Sequence, residues 1–293
     1  MAKSPAGSVA QQDHPAVSPI RVRKFDMGPD AATPRYWFED DPFMTHFFNA
    51  ISSMFPEGER FFIRAVRNFK NEVTTPELSV QVGDFVRQEA QHFKEHDNHM
   101  ALLEAQGYGV LATYNRFAER GLKWTSEKMP RFALATTVAT EHITAVLADQ
   151  VLCNDERWLK PMVPEMRRLW RWHAIEESEH KAVAFDVYQE CLEQGRARSV
   201  WFRRAAMLYV LLTFFAETFV RHSALLIKDR QFTPRVLWRG SKLLWGRDGL
   251  LRSFHPHLWQ FFRRDFHPWQ HNNSALVEQA LADLRRDGLQ LVA

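Results

Sequence analysis

Cysteine is nearly missing from this sequence: Cys153 and Cys191 are the two residues of that type in 293 positions. So sparse a set excludes a disulfide-stapled fold and a cysteine-rich metal knuckle, and it agrees with a reducing compartment. Both are expected to be ordinary buried thiols at opposite ends of one helix hairpin. No apolar run follows Met1, which speaks against a secretory leader and for a cytoplasmic protein. An excess of one charge is lacking too. Lys and Arg number 38 against 35 Asp and Glu, for a formal charge of +3, too weak to make nucleic acid an expected partner without a concentrated basic patch. No segment alternates polar and apolar residues over a useful strand length, and no internal repeat stands out. A bilayer span is also wanting. The most apolar segment, Ala205 to Val220, falls short of the roughly 20 residues a span needs and is interrupted by Glu217. It reads as a buried core helix, with an interfacial helix as the alternative.

What is present is helical material. Apolar residue types make up 45% of the chain, enough for one large helical core. Residues 1–35 mix Ser, Ala, Pro and Gln without a helical period and read as a flexible arm with no visible chemistry. Residues 36–195 carry the start and stop signals of a four-helix bundle. Asp41-Pro42 opens a first helix that Pro56 divides into two stacked pieces ending near Lys70. Thr75-Pro76 opens a second that ends near Gln106-Gly107. Ser126 or Met129-Pro130 opens a third that runs to about Leu152, and a fourth begins between Pro161 and Pro164 and stops at Gly195. Two short connections imply two antiparallel hairpins, and the longer stretch from Gly107 to Thr125 crosses from one end of the bundle to the other. The expected fold is therefore all-α, a ferritin-like four-helix bundle. Residues 196–293 form a C-terminal helical extension packed on it, with helices from Ser199, from Thr233-Pro234 and from Ser274 to Gly288.

Glu89-Ala90-Gln91-His92 and Glu177-Ser178-Glu179-His180 are both E-x-x-H, a spacing that puts a carboxylate and an imidazole on one helical face. Alone the motif is weak, since about one such pair is expected by chance from the composition. Arrangement carries more. Paired-metal carboxylate bundles take one Glu from each of two helices and an E-x-x-H from each of the other two. Glu59, then Glu89 with His92, then Glu141, then Glu177 with His180 follow that order. Level residues on a hairpin lie equally far from its turn. Glu59 and Glu89 are centred inside the first predicted turn, and Glu141 and Glu177 inside the second. Two divalent ions would balance the four carboxylates, which are otherwise costly to bury together. His96 and His173 fall on the same faces, one turn from these positions, as an extra ligand or as supports that orient one. His99 and His142 read as structural. The competing reading of the glutamates, as solvated charges of amphipathic helices, is weakened by the apolar neighbours of Glu59 and Glu141.

Several blocks of residues resemble a known family. Phe55-Pro56-Glu57-Gly58-Glu59-Arg60-Phe61-Phe62, Gln88-Glu89-Ala90-Gln91-His92, Glu141-His142-Ile143-Thr144-Ala145, and Trp172-His173 through Glu176-Glu177-Ser178-Glu179-His180-Lys181 are similar to the bacterial family labelled predicted metal-dependent hydrolase. Phe185-Asp186-Val187-Tyr188 and Asp265-Phe266-His267-Pro268-Trp269 extend the likeness over roughly residues 35 to 270. The resemblance implies a helical metalloprotein. The bundle itself suggests kinship with di-iron oxidases and oxygenases, including N-oxygenases with an added histidine.

Two enzyme classes follow. The leading expectation is an oxygen-dependent di-iron oxygenase or oxidase acting on a small organic substrate. It would hold two iron ions, with manganese the substitute, and would need dioxygen and an electron donor. The small residues Ala139, Thr140, Thr144, Ala145 and Ala148 would leave room beside the metals, although close helix packing explains them equally well. The alternative is a metal-dependent hydrolase, with zinc as its metal and a spare carboxylate, Glu176 or Glu179, as base. A non-catalytic metal-binding protein is a third reading. The extension alternates aromatic and basic residues, from Trp238 and Arg239 to Phe266 and Trp269. It is expected to cover the bundle, with peripheral contact to an anionic membrane and collection of an apolar substrate as the alternative.

Overall fold

The computed structural model describes residues 20–24, 28–193 and 197–287. It is all-α, and among the described residues the one β-type pairing is an isolated bridge between Phe38 and Met162. Helix α1 (Pro42–Ser52) starts where Asp41 accepts a hydrogen bond from the Met44 amide at 2.9 Å, which satisfies one of the open donors of its first turn. Two residues later the chain restarts as α2 (Phe55–Arg67), with Pro56 in its first turn. The proline thus divides the segment, as its missing N–H requires. Helix α3 (Pro76–Ala105) follows. It ends on Gly107, whose φ of +96° suits a glycine, while the Tyr108 amide bonds back to the Leu103 carbonyl at 2.9 Å.

The expected crossing stretch is itself a helix, α4 (Val110–Lys128), followed by α5 (Pro130–Cys153), the single turn α6 (Asp155–Trp158) and α7 (Pro164–His180). The fourth helix does not run unbroken. It stops at His180, resumes as α8 (Val183–Tyr188) and loosens into a π-type turn over Gln189–Glu193. Lys181, at the break, donates to the His271 carbonyl at 2.6 Å and to Asn273 Oδ1 at 2.8 Å, so the C-terminal part of the chain holds the interruption in place. The expected stop at Gly195 lies outside the described residues, as do residues 1–19 of the arm.

Helices α2, α3, α5 and α7 form the bundle. Glu89 on α3 meets His180 on α7, while His96 meets His173, so these two helices are antiparallel. Glu141 meets His180 and Thr144 meets Glu177, so α5 and α7 are antiparallel as well. It follows that α3 and α5 run the same way, and α4 returns the chain along α2 and α5 between them. This is the ferritin-like connectivity expected of the sequence.

The rest of the chain wraps this bundle as α9 (Ala197–Lys228), α10 (Pro234–Trp245), α11 (His255–Gln260) and α12 (Ser274–Arg286). Helix α12 packs on α7 and α5, and α11 on α5. Phe254, Phe261, Phe266 and Leu284 join the main core, each worth roughly 1.5–3 kcal/mol when fully buried. Helix α10 approaches α1 so closely that a side chain at Gly240 would collide with the Phe43 ring. The aromatic-basic extension is therefore divided. Its later aromatics cover the bundle, while Trp238, Trp245 and Trp259 are exposed.

Helix α9 departs from the buried core helix expected over Ala205 to Val220. One face, with Arg203, Met207, Val210 and Leu225, is buried, while Trp201, Leu208, Leu212 and Phe219 on the other are exposed. It is the one helix among the described residues long and apolar enough to cross a bilayer, and 33% of its most apolar window is buried inside the protein. Apolarity all round hides which face is in contact, because no polar stripe marks the outer side. The cysteines differ from expectation too: Cys153, at the end of α5, is exposed, and Cys191 is half-buried against the edge of the main core.

Candidate metal centre

Three-residue spacing puts Glu89 and His92 on one face of α3, and Glu177 and His180 on one face of α7. Both faces turn inward, and one ligand atom from each of the four side chains lies within 4.8 Å of the others. Glu59 on α2 and Glu141 on α5 bring carboxylates from the remaining helices, each only 1% exposed. The structure thus brings all six expected residues into one buried region at one depth of the bundle.

The hub is Glu177 Oε1. It lies 3.5 Å from His92 Nδ1, 3.5 Å from His173 Nε2 and 3.7 Å from His180 Nε2. Each imidazole is held from its far side. His92 Nε2 pairs with Glu176 Oε2 at 3.1 Å, His180 Nδ1 with Glu141 Oε2 at 3.1 Å, and His173 Nδ1 with His96 Nε2 at 3.3 Å. Fixing one ring nitrogen sets the orientation of the other, the usual means of aiming a metal-binding imidazole. The Thr144 hydroxyl donates to Glu177 Oε2, which steadies the hub itself.

His96 and His173 take different places. His96, although its ligand atoms approach those of Glu59 and His173, has Nδ1 bonded to Ser52 Oγ at 2.8 Å and Nε2 to His173. His173 keeps Nε2 without a hydrogen bond and turned toward Glu177. His99 bonds the same Ser52 hydroxyl at 2.8 Å, and His142 pairs with the His257 carbonyl at 3.1 Å.

The donor set fits metal. Both carboxylate oxygens of Glu59 and of Glu89, Oε1 of Glu141, Nδ1 of His92 and Nε2 of His173 and His180 are buried without a hydrogen bond. A native protein leaves few such atoms unsatisfied, and each costs about 1–3 kcal/mol. Eight gathered around one carboxylate are a shortage of positive charge. Proton affinities say the same. Burial, reinforced by the neighbouring Glu177 and Glu141, holds the Glu59 carboxyl well above the usual carboxylate range. Glu89 is raised by burial and its neighbouring carboxylates and Glu141 by burial, and burial lifts Glu177 to about 7 although His180 opposes the rise. Burial, then repulsion from neighbouring imidazoles, pushes His92 and His173 well below their ordinary value. In the absence of a cation these groups favour their neutral forms, and a cation reverses that preference.

A second acidic group on α7 is built differently. Glu176 and Glu179 meet Arg23, with Nη1 3.3 Å from Glu176 Oε1 and Nη2 2.6 Å from Glu179 Oε1. Gln88 adds a donor to Glu179 Oε2 at 3.0 Å. Glu176 and Glu179 are thus not spare bases beside the centre. They are tied to Arg23, and Glu176 also to His92. Arg23 comes from the stretch expected to be chemically silent, yet its side chain is only 3% exposed. The one signal in the sequence was indirect. Glu176, Glu177 and Glu179 crowd three carboxylates into one helical turn, more than an E-x-x-H needs, and the excess called for a cation from elsewhere in the chain.

The small residues near Glu141 divide. Thr140 and Thr144 line a cavity between α2, α4, α5 and α9, Ala148 borders a small void beside His173, and Ala139 is fully buried in the core.

An all-helical fold whose inner face is a buried Glu/His cluster of this kind defines a class of metal-dependent helical proteins. Within that class, the family described as "predicted metal-dependent hydrolase" matches residues 20–272, and the chain belongs to it. No curated protein and no solved structure matches. The family agrees with the hydrolase alternative and lends no support to the oxygenase reading that led in the sequence.

Proposed function

We propose that this protein is a hydrolase that works with two metal ions held by Glu59, Glu89, His92, Glu141, His173, Glu177 and His180. The observation that carries the proposal is the set of eight buried, unbonded nitrogen and oxygen atoms around Glu177, with three imidazoles each oriented from behind. Glu89, His92, Glu177 and His180 make the tightest group, and Glu59, Glu141 and His173 complete it. Bound metal would acidify water and polarise a carbonyl or phosphoryl oxygen. Carboxylate-rich donors suit iron or manganese better than zinc.

The chain's own residues supply orientation and a proton acceptor. Thr144 and the pairs behind the imidazoles keep the donors fixed. Neither oxygen of Glu59 or of Glu89 is hydrogen-bonded, but Glu89 Oε1 lies 3.2 Å from His180 Nε2 while Glu59 makes no such pair among the described residues, so one Glu59 oxygen is available to accept a proton from attacking water. The reaction needs nothing beyond water. Its oxygen bonds to the electrophilic carbon or phosphorus, the leaving group departs with the bonding pair, and the proton passes through Glu59 to that group. Glu59→Gln should keep most of the metal and lower kcat by about 10²–10⁴-fold, the usual worth of a positioned base.

A second reading, oxygen-dependent oxidation, draws on one observation: four carboxylates against three imidazoles in a fully buried site suit a metal that changes oxidation state. The test is a panel of esters, amides and phosphoesters, with chelation and metal restoration, beside an oxygen electrode with a chemical reductant. Metal-dependent cleavage without oxygen uptake supports hydrolysis. Reductant-dependent oxygen uptake without cleavage would replace it with the second reading.

A further inference from the structure

Between α2, α4, α5 and α9 lies a cavity of about 450 Å³, within the range of small-molecule sites. Its wall is mainly aromatic and aliphatic, with Phe61, Phe62, Leu122, Phe132, Val210 and Phe214 among the lining residues. Several polar groups in that wall are already engaged, although Glu57, whose Oε1 pairs with Arg60 at 2.9 Å, keeps its Oε2 without a hydrogen bond. Thr136 and Thr140 donate to the carbonyls of Phe132 and Thr136, each at 2.9 Å. Arg221 donates to Asn115 Oδ1 at 2.7 Å and pairs with Glu217 Oε2 at 3.2 Å. The cavity therefore offers burial mainly to an apolar group, with the Glu57 carboxylate as its open acceptor.

Two lining residues belong to the centre as well. Thr144 donates to Glu177, and the Phe55 ring stacks on His173 with centroids 4.6 Å apart. The same two side chains border a void of about 10 Å³ that His173 and Trp170 also line. A single layer of side chains separates the cavity from the metal-facing donors.

We propose that this cavity seats the alkyl or acyl chain of an amphiphilic ester or amide, with the bond to be cleaved at the Phe55 and Thr144 end. The choice of bond rests on the hydrolase reading above, while the seat for an apolar chain does not. In the reaction, water supplies oxygen to the acyl carbon, the bond to the alcohol or amine breaks, and that group leaves with the proton.

The probe is a conjugated polyene fatty acid, whose emission rises when its chain leaves water, titrated into the metal-loaded full chain. One arm supplies it from aqueous solution and the other from neutral phospholipid vesicles. Saturable binding with one site per chain is expected, and the arm in which it appears identifies the source of the chain. Gly121→Trp and Thr140→Trp fill the cavity from opposite walls. A Cβ at Gly121 meets no atom within 4 Å, so that variant should fold normally. Each should weaken binding by more than about tenfold at unchanged metal content. Absence of binding in both arms, or wild-type binding by both tryptophan variants, would overturn the proposal. If the chain binds and no ester or amide is cleaved, the hydrolase reading fails and the cavity assignment stands. If short soluble esters are cleaved while the tryptophan variants bind the chain normally, the reverse holds.

Discussion

Helix α7 carries two groups of buried carboxylates one residue apart, and the protein treats them in opposite ways. Glu176 and Glu179 are closed off within the chain by Arg23, which burial alone would weaken as a cation but which the two carboxylates hold above its ordinary pKa. Glu177, with Glu59, Glu89 and Glu141, forms no ion pair with an arginine or lysine among the described residues, and several of these carboxylate oxygens are left without a hydrogen bond. Similar residues at similar depth thus differ in the source of their positive charge. Where the chain supplies a guanidinium, the group is finished and structural. Where it supplies none, the group is finished by something the chain must bind. This separates a metal centre from a buried ion pair more sharply than an E-x-x-H motif does.

The largest expected effect breaks the open side of the comparison. Glu89→Ala or Glu177→Ala should abolish the paired site, because each removes a carboxylate that no neighbour can replace. Elemental analysis of purified variants checks this, and two ions per chain in both would mean the carboxylates are not ligands. Next in size is the closed side. Arg23→Ala leaves Glu176 and Glu179 buried without their cation and should cost about 3–5 kcal/mol of folding stability, read by chemical denaturation of chelated protein. Added metal should not restore that loss. Full rescue would show that the two groups act as one.

A smaller effect is expected behind the imidazoles. His96→Ala should weaken metal binding by about 10–100-fold without abolishing it, the typical worth of a partner that orients a ligand, whereas His173→Ala should remove one ion. Competition with a chromophoric chelator measures both, and an equal loss would erase the distinction drawn between them.

The smallest effect is on pH. The folded Glu177 carboxyl titrates at about 7, above its unfolded value, so the metal-free folded state binds the extra proton and loses stability as pH rises toward and through 7. His142 and His222, pushed down to about 4 by burial, act the other way. They cost stability as pH falls through about 7 toward 4, so the total profile mixes both signs and the comparison with Glu177→Gln isolates the carboxyl. In chelator, the melting temperature of the wild type relative to Glu177→Gln should fall as pH rises from about 5 to about 8. A flat difference would contradict the raised Glu177 carboxyl assigned to the centre.

Much of the bundle was legible because its signals are local. Pro42, Pro56, Pro76, Pro130 and Pro164 each stand in the first turn of a helix, and the four glutamates could be levelled by counting outward from two turns. Side-chain geometry was not legible at that level. His96 and His173 are symmetric in spacing, and only Ser52, which occupies one nitrogen of His96, tells them apart. Arg23 reaches Glu176 across 153 positions, a contact that no periodicity encodes. Helix α9 misled because apolar residues surround it on all sides, so composition alone could not show that Leu212 and Phe219 would be exposed while Met207 and Leu225 were buried.

The central proposal is that the centre takes its missing charge as two metal ions. Anomalous diffraction from crystals of metal-reconstituted protein, collected on both sides of the metal edge, tests it most directly. The account predicts two peaks at coordination distance, about 2.0–2.3 Å, from donor atoms among Glu59, Glu89, His92, Glu141, His173, Glu177 and His180. No peak there, or metal bound only away from these donors, would contradict it.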